Sequence, residues 1–324
     1  MAKQLLADAV QVLVPATSGN LGPGFDCLGL AYDMYDQIEV KVVPGPTTVT
    51  VTGQGAGEVP LDENHLVLRA LRHTLDSVGV AQPNLDLSCW NRIPHGRGLG
   101  SSAAAVVAGI MAARRLLSDP NEIPLEQVLA LATEFEGHPD NAAPAIYGGA
   151  TVSWLEGGNP QAVRIPMQGS VSPVLLVPSN SLATKAARAV LPDQVPFADA
   201  VFNVGRVALL LQALNGHSEH LLAATEDKLH QPYRAAVMPE SAAVVAALRE
   251  LGIPAVISGA GPTVLAFFTD YDYLRGFEPP LRSDDNESSS FGKALENSGI
   301  NLDEWRILRL RVDEIGARTY PKLP

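Results

Sequence analysis

The stretch Pro94-His95-Gly96-Arg97-Gly98-Leu99-Gly100-Ser101-Ser102 sets glycine at alternate positions and ends on two adjacent hydroxyls. Glycine has no Cβ, so a backbone built on Gly96, Gly98 and Gly100 can turn sharply and approach a ligand closely. The helix-forming run behind it has free amides in its first turn and the positive end of its dipole there. Together these make a seat for phosphate. The stretch lacks the lysine and spacing of a Walker A loop and has no Gly-x-Gly-x-x-Gly fingerprint. A serine hydroxyl at this point can cap the helix or ligate a magnesium ion carried by phosphates. A tight turn with serine caps is the plain alternative.

Two other stretches bring together side chains able to do chemistry. Pro15 to Asp26 combines three glycines, two prolines, two hydroxyls, an amide and a carboxylate. Asn20 and Asp26 could face a polar small molecule there, with Asp26 receiving an amine; otherwise both are ordinary turn residues. Further on, His138, Asp140 and Asn141 fall within four positions, fenced by glycine and proline, which suits a shaped polar loop. Glu134 is the carboxylate to hold magnesium, a hard ion that prefers one or two carboxylates plus phosphate oxygens. Asn64 is a cap or first-turn residue, or it borders a nucleotide base. His65 and His73 are expected at the surface, and His217, His220 and His230 show no metal-ligand spacing.

The elements that must position these groups follow from periodicity. Val10 to Val14, Tyr35 to Val43, Thr47 to Thr52 and Leu85 to Cys89 read as strands, and the helix after the glycine loop runs over Ala103 to Leu117. A helix after Asn64 buries Val67, Ala70, Leu71, Leu75 and Val78. A helix over Leu125 to Glu136 buries Leu125, Val128, Leu129, Ala132 and Phe135, leaving Glu126 and Glu134 off that face. In the second half, Val171 to Val177, Ile253 to Ile257, Thr263 to Phe268 and a segment around Leu308 to Val312 read as strands. Ala198 to Leu214 reads as a helix with Val201, Val204, Ala208, Leu211 and Leu214 inward. Arg282 to Ser290 reads as a polar, acidic loop.

The chain of 324 residues is long enough for two domains sharing a cleft. It is 46% hydrophobic and 18% charged, ample for a packed core. Its net charge of -12 argues against nucleic acid or an anionic membrane as partner, so a phosphate site must be built locally. Two cysteines make no disulfide framework and suit a reduced, cytoplasmic setting. No signal peptide and no uninterrupted apolar stretch of membrane-spanning length is evident.

Three stretches in order, Pro15 to Asp26, Pro94 to Ala105 and Ser258-Gly259-Ala260-Gly261-Pro262-Thr263, resemble the GHMP kinase superfamily. The first of them, with Glu136-Gly137-His138-Pro139-Asp140-Asn141, is similar to its homoserine kinase branch. The resemblance spans residues 10 to 268. It implies an α+β fold with a mixed αβ nucleotide-binding domain (1–165) and a ferredoxin-like α/β sandwich domain (166–324). It implies ATP with Mg2+, phosphates cradled by Pro94 to Ser102, magnesium at Ser102 and Glu134, and Asn64 near the base. Asn20, Asp26, His138, Asn141, Thr184, Arg188, Arg234 and Gly261 are placed around the amino acid, and a homodimer is the family expectation. A pair of arginines suits a carboxylate because the guanidinium fork binds it bidentately. Some superfamily members carry a catalytic aspartate in this region; anchoring on Gly148-Gly149 puts Asn141, not Asp140, in its place. The implied reaction is phosphorylation of the L-homoserine hydroxyl, with Asn141 and His138 orienting it. The alternatives are a GHMP kinase for another alcohol, or a non-catalytic nucleotide or metabolite sensor.

Overall fold

A computed structural model of the chain describes residues 5, 7–167, 171–270, 272 and 290–321. Eleven strands are present among them: β1 (Ala9–Ser18), β2 (Leu28–Val42), β3 (Thr48–Gly53), β4 (Leu85–Asn91), β5 (Ala150–Glu156), β6 (Asn159–Ile165), β7 (Ser172–Pro178), β8 (Ala255–Ile257), β9 (Val264–Phe268), β10 (Trp305–Arg309) and β11 (Arg318–Pro321). The helices are α1 (Leu66–Ser77), α2 (Ser101–Leu116), α3 (Leu125–Glu136), α4 (Ala142–Tyr147), α5 (Thr184–Ala189), α6 (Phe197–Leu214), α7 (Leu221–Ala224), α8 (Gln231–Arg234), α9 (Pro239–Glu250) and α10 (Ser290–Asn297). The acidic loop expected over Arg282 to Ser290 lies, but for Ser290, outside the described residues.

The first sheet runs β11-β1-β2-β4-β3, with β5 paired to the start of β2 and β6 paired to β5. β3 and β4 are parallel and joined through α1, while β1, β2 and β4 are antiparallel neighbours. α2 packs on α1 and across β1, because Ala, Val and Gly on nearly every face let it be buried all round. The second sheet is antiparallel in the order β10-β7-β9-β8, and its chain order is βαββαβ, the ferredoxin-like arrangement. Successive residues of β7 face opposite ways. Val174 and Leu176 pack with α9 and α10, and Leu175 and Val177 join the core of the first sheet. The two halves therefore share a core instead of meeting across water.

Three expectations change. The chain does not divide cleanly at 165/166, since β11 returns to the first sheet and pairs Val10 to Leu13 with Pro321 to Arg318. β1 runs on to Ser18, so the loop expected from Pro15 is half strand, bent where the β1–β2 register shifts at Pro15/Ala16. The third concerns α6. Leu214 is buried as expected, but Val204 is 71% and Val201 55% exposed, and the helix turns Asn203, Leu210 and Ala213 inward in their place. Asn203 wins the inward place because its amide donates to Pro23 O at 3.1 Å and to Asp227 Oδ1 at 3.0 Å. α6 is also 18 residues long and apolar enough to cross a membrane by length and composition, although Asp199 and Arg206 interrupt it. Here it forms part of the second domain, with Asp199 paired to Lys228 and Arg206 to Glu226.

Candidate active site

The three similar stretches meet at one point. Gly98, with φ +70°, passes so close to the third stretch that a Cβ on it would lie 2.2 Å from Ser258 O. A Cβ on Gly100 would lie 2.0 Å from Thr17 Oγ1. No residue but glycine fits at either position. The contact is sealed by hydrogen bonds: Thr17 N–H donates to Leu99 O at 3.1 Å, Ser258 Oγ to Gly98 O at 2.6 Å, and Gly259 N–H to Gly19 O at 3.0 Å. Tyr32 OH donates to Ser18 Oγ, which lies 2.5 Å from Ser258 Oγ.

This junction forms the floor of a cavity of about 390 Å³ lined by Gly96, Gly98 to Ser102, Glu136, His138, Asn141, Arg188 and Arg234, among others. Gly100 precedes α2 in the left-handed region, and no side chain caps the helix. The first amide after it to find a carbonyl is that of Ala104, which donates to Gly100 O at 2.8 Å. The amides of Ser101 and Ser102 are left for an anion. The serine caps offered as the plain alternative are thus absent.

Ser102 Oγ donates instead to Glu136 Oε1 at 2.6 Å. Burial pushes the Glu136 carboxyl up, against the Ser102 hydrogen bond that lowers it. Glu134, the carboxylate expected here, is on the other side of α3. It is 58% exposed at its side chain and holds His73 Nε2 at 2.8 Å. The two glutamates are two residues apart, about 200° around the helix, so only one can face α2.

Residues of both domains line the rest of the cavity. Arg188, on α5, is bidentate to Asp26, Nη1 to Oδ2 at 3.2 Å and Nη2 to Oδ1 at 2.5 Å. Asn20 and Asp26 both hold positive φ, and Asn20 Oδ1 accepts the Asp26 N–H at 2.8 Å, which fixes the loop. Thr184 lies exposed at the start of α5 and lines the cavity. Arg234 is fully buried. Its Nε donates to Ala187 O at 3.2 Å and its Nη1 to Gly259 O at 3.0 Å, but Nη2 has no partner in the protein. Burial, then the charge of Arg188, pulls its pKa down to about 10, so it stays cationic at neutral pH.

Asp140 is fully buried beneath the cavity. It accepts the Asn20 N–H at 3.1 Å and holds His138 Nδ1 at 2.6 Å. Burial lowers the His138 pKa, and the Asp140 bond and charge outweigh it, so the net shift is upward. Asn141 lines the cavity and accepts from Thr17 Oγ1 at 3.0 Å.

Several candidates fall outside this cavity. Gly261 packs on Met238, and Gly259 with Ala260 takes its place in the lining. Arg97 clamps the loop to β7 through Pro178 O at 2.9 Å and Ser179 O, and Pro94 faces the same side. His95 and Asn64 line a second cavity of about 250 Å³ that shares Ser101 and Ser102 with the first. His65 lines it too; it is 5% exposed, not a surface group, and its Nδ1 has no partner in the protein.

The GHMP kinases N terminal domain matches residues 65–149, and the GHMP kinases C terminal domain residues 202–278. The chain is 53% identical over 316 residues to a homoserine kinase of Leifsonia xyli subsp. xyli, covering 97% of this chain and 93% of that one. It is 55% identical over 262 residues to a homoserine kinase of Clavibacter michiganensis subsp. michiganensis, covering 81% and 83%. A crystal structure of homoserine kinase from Cytophaga hutchinsonii is similar with a TM-score of 0.81 at 26% identity, over 98% of this chain and 99% of that one. The glycine loop, the shared core and this near full-length likeness agree: the chain belongs to the homoserine kinase family of GHMP kinases, small-molecule kinases that use ATP.

Proposed function

We propose the following division of labour for phosphorylation of the side-chain hydroxyl of L-homoserine by ATP, giving O-phospho-L-homoserine for threonine synthesis. The observation that carries it is Arg234. A buried polar group left without a partner costs about 1–3 kcal/mol, more when charged. A free Nη2 on a fully buried guanidinium therefore fits a ligand that brings an anion. The ion pair of Asp26 with Arg188 beside it is the mirror image of a zwitterion. The substrate carboxylate lies between Arg188 and Arg234, and its ammonium on Asp26. Asn20 and Thr184 complete the wall.

The amides at the mouth of α2 hold the phosphates, and the cavity lined by Asn64, His65 and His95 takes the base. Ser102 Oγ and Glu136 Oε1 offer hard oxygen donors 2.6 Å apart, a set that fits magnesium. When bound, the ion supplies positive charge against the phosphate oxygens. Asn141 and His138 orient the hydroxyl. Asp140 is committed to His138 and to Asn20, so it takes no proton from the substrate; the hydroxyl proton leaves on the phosphoryl group. Catalysis rests on positioning and charge. Free Cys27 and Cys89 support a reduced, cytoplasmic setting. With ATP and magnesium, purified protein is expected to release ADP faster with L-homoserine than with mevalonate, shikimate or galactose. Equal rates on all four would end this reading.

The exposed side of α6 supports the homodimer. Phe197, Val201 and Val204 form an apolar stripe with Ala208, and the charges flanking it are paired within the chain. A helix apolar on two faces wants two partners. A second copy packed antiparallel about Val204 sets Phe197 against Leu211 and Val201 against Val207, with no unpaired charge buried. Val204→Glu is expected to shift the sedimenting species from dimer to monomer. A variant that sediments as wild type removes α6 from the interface.

A further inference from the structure

His230 forms no part of the three stretches that carry the family likeness, yet its side chain is wholly buried between the two domains. Its Nδ1 lies 3.2 Å from Arg234 Nη1, and its Nε2 lies 2.7 Å from Gly22 O. A guanidinium has only protons to offer, so Nδ1 must be the unprotonated nitrogen and accept. A carbonyl has only lone pairs to offer, so Nε2 must carry the hydrogen and donate. The two neighbours together fix one neutral tautomer. Asp227 Oδ2 also approaches Nε2, at 3.5 Å, but it accepts the backbone N–H groups of His230 and Gln231.

The two partners of this ring belong to the two halves of the amino-acid pocket. Gly22 lies in the β1–β2 connection, and Arg234 ends α8. Phe25, in the same connection, stacks on His230 with ring centres 5.2 Å apart and planes at 28°. The guanidinium carbons of both Arg188 and Arg234 lie 5.4 Å from the centre of the Phe25 ring. The His230–Phe25 pair is therefore the plate against which both arginines are seated, an arrangement favourable to cations over an aromatic face.

We propose that His230 is a positioning residue for the substrate carboxylate. By accepting from Nη1 it fixes the rotation of the Arg234 guanidinium, which leaves Nη2 for the ligand. By donating to Gly22 it locks the loop of Asn20 and Asp26 to that same arginine. It touches no substrate itself. This rests on the reading of Arg234 as the carboxylate group's partner.

The test compares His230→Gln, whose amide can still reach Gly22 but offers Arg234 no acceptor at the Nδ1 position, with His230→Asn, which keeps an oxygen there. His230→Gln is expected to raise KM for homoserine about tenfold, the weight of one well-placed hydrogen bond, while KM for ATP stays within about twofold. His230→Asn is expected to restore most of that loss. In an Arg234→Gln background, His230→Gln is expected to add nothing further, since the group it positions is gone. A folded His230→Gln enzyme with unchanged KM for homoserine, or with both KM values raised alike, overturns the proposal, as does full additivity in the double variant. If Arg234→Gln itself leaves KM for homoserine unmoved, the carboxylate reading falls, and the proposal with it. Where His230→Gln gives no cooperative melt, the nitrogen-15 spectrum of the wild-type ring decides. One hydrogen on Nε2 sustains the proposal, and one on Nδ1 overturns it.

Discussion

Glu136→Ala is expected to lower kcat about 10²-fold or more, the scale at which misplacing a reacting group by an ångström is felt. KM for homoserine should hardly move, because Glu136 faces the phosphate end of the cavity and not Arg188 or Asp26. The loss should be accompanied by a higher magnesium requirement, read from the dependence of kcat on the free ion. Glu134→Ala is the matched control. It removes an exposed ion pair with His73, a contact worth about 0–1 kcal/mol, and should leave kcat within about twofold. The two variants differ by two positions on one helix. A reversal of their effects would mean that the carboxylate facing Ser102 is not the one that matters.

Arg234→Gln is expected to act on the other substrate. Losing one charge-assisted hydrogen bond, worth about 1.5–3 kcal/mol, corresponds to a rise in KM for homoserine of roughly tenfold to a hundredfold. KM for ATP should stay within about twofold. The specific signature is a probe without the carboxylate. 3-Aminopropan-1-ol should be a poor substrate of the wild-type enzyme and equally poor for the variant. If ATP binding suffers instead, Arg234 belongs to the nucleotide and the zwitterion pocket must be redrawn.

Much of this site could be read from the chain because its chemistry is local. Glycine at 96, 98 and 100 followed by two serines and a helix-forming run needs no tertiary information to suggest a phosphate seat. Asn141 could be preferred to Asp140 because the glycine pair after α4 fixes the count. The choice between Glu134 and Glu136 could not be made that way. Periodicity places Glu134 off the apolar face of α3, but says nothing about which polar side meets α2. The inward face of α6 was hidden for a related reason. Apolar residues line both sides, and a buried asparagine, held by Pro23 O and Asp227, decides which side turns in. His65 was obscured because burial of an imidazole depends on what covers it, here the cavity shared with Ser101 and Ser102. His230 shows no motif at all. Its meaning lies in a bond to Gly22 across 208 residues.

The pairing of β11 with β1 bears on how the chain is made. β1 is translated before β11, and its outer edge stays open until Arg318 to Pro321 arrive to cover it. Throughout that interval the nascent first sheet presents a bare strand, a template for wrong pairing with another chain.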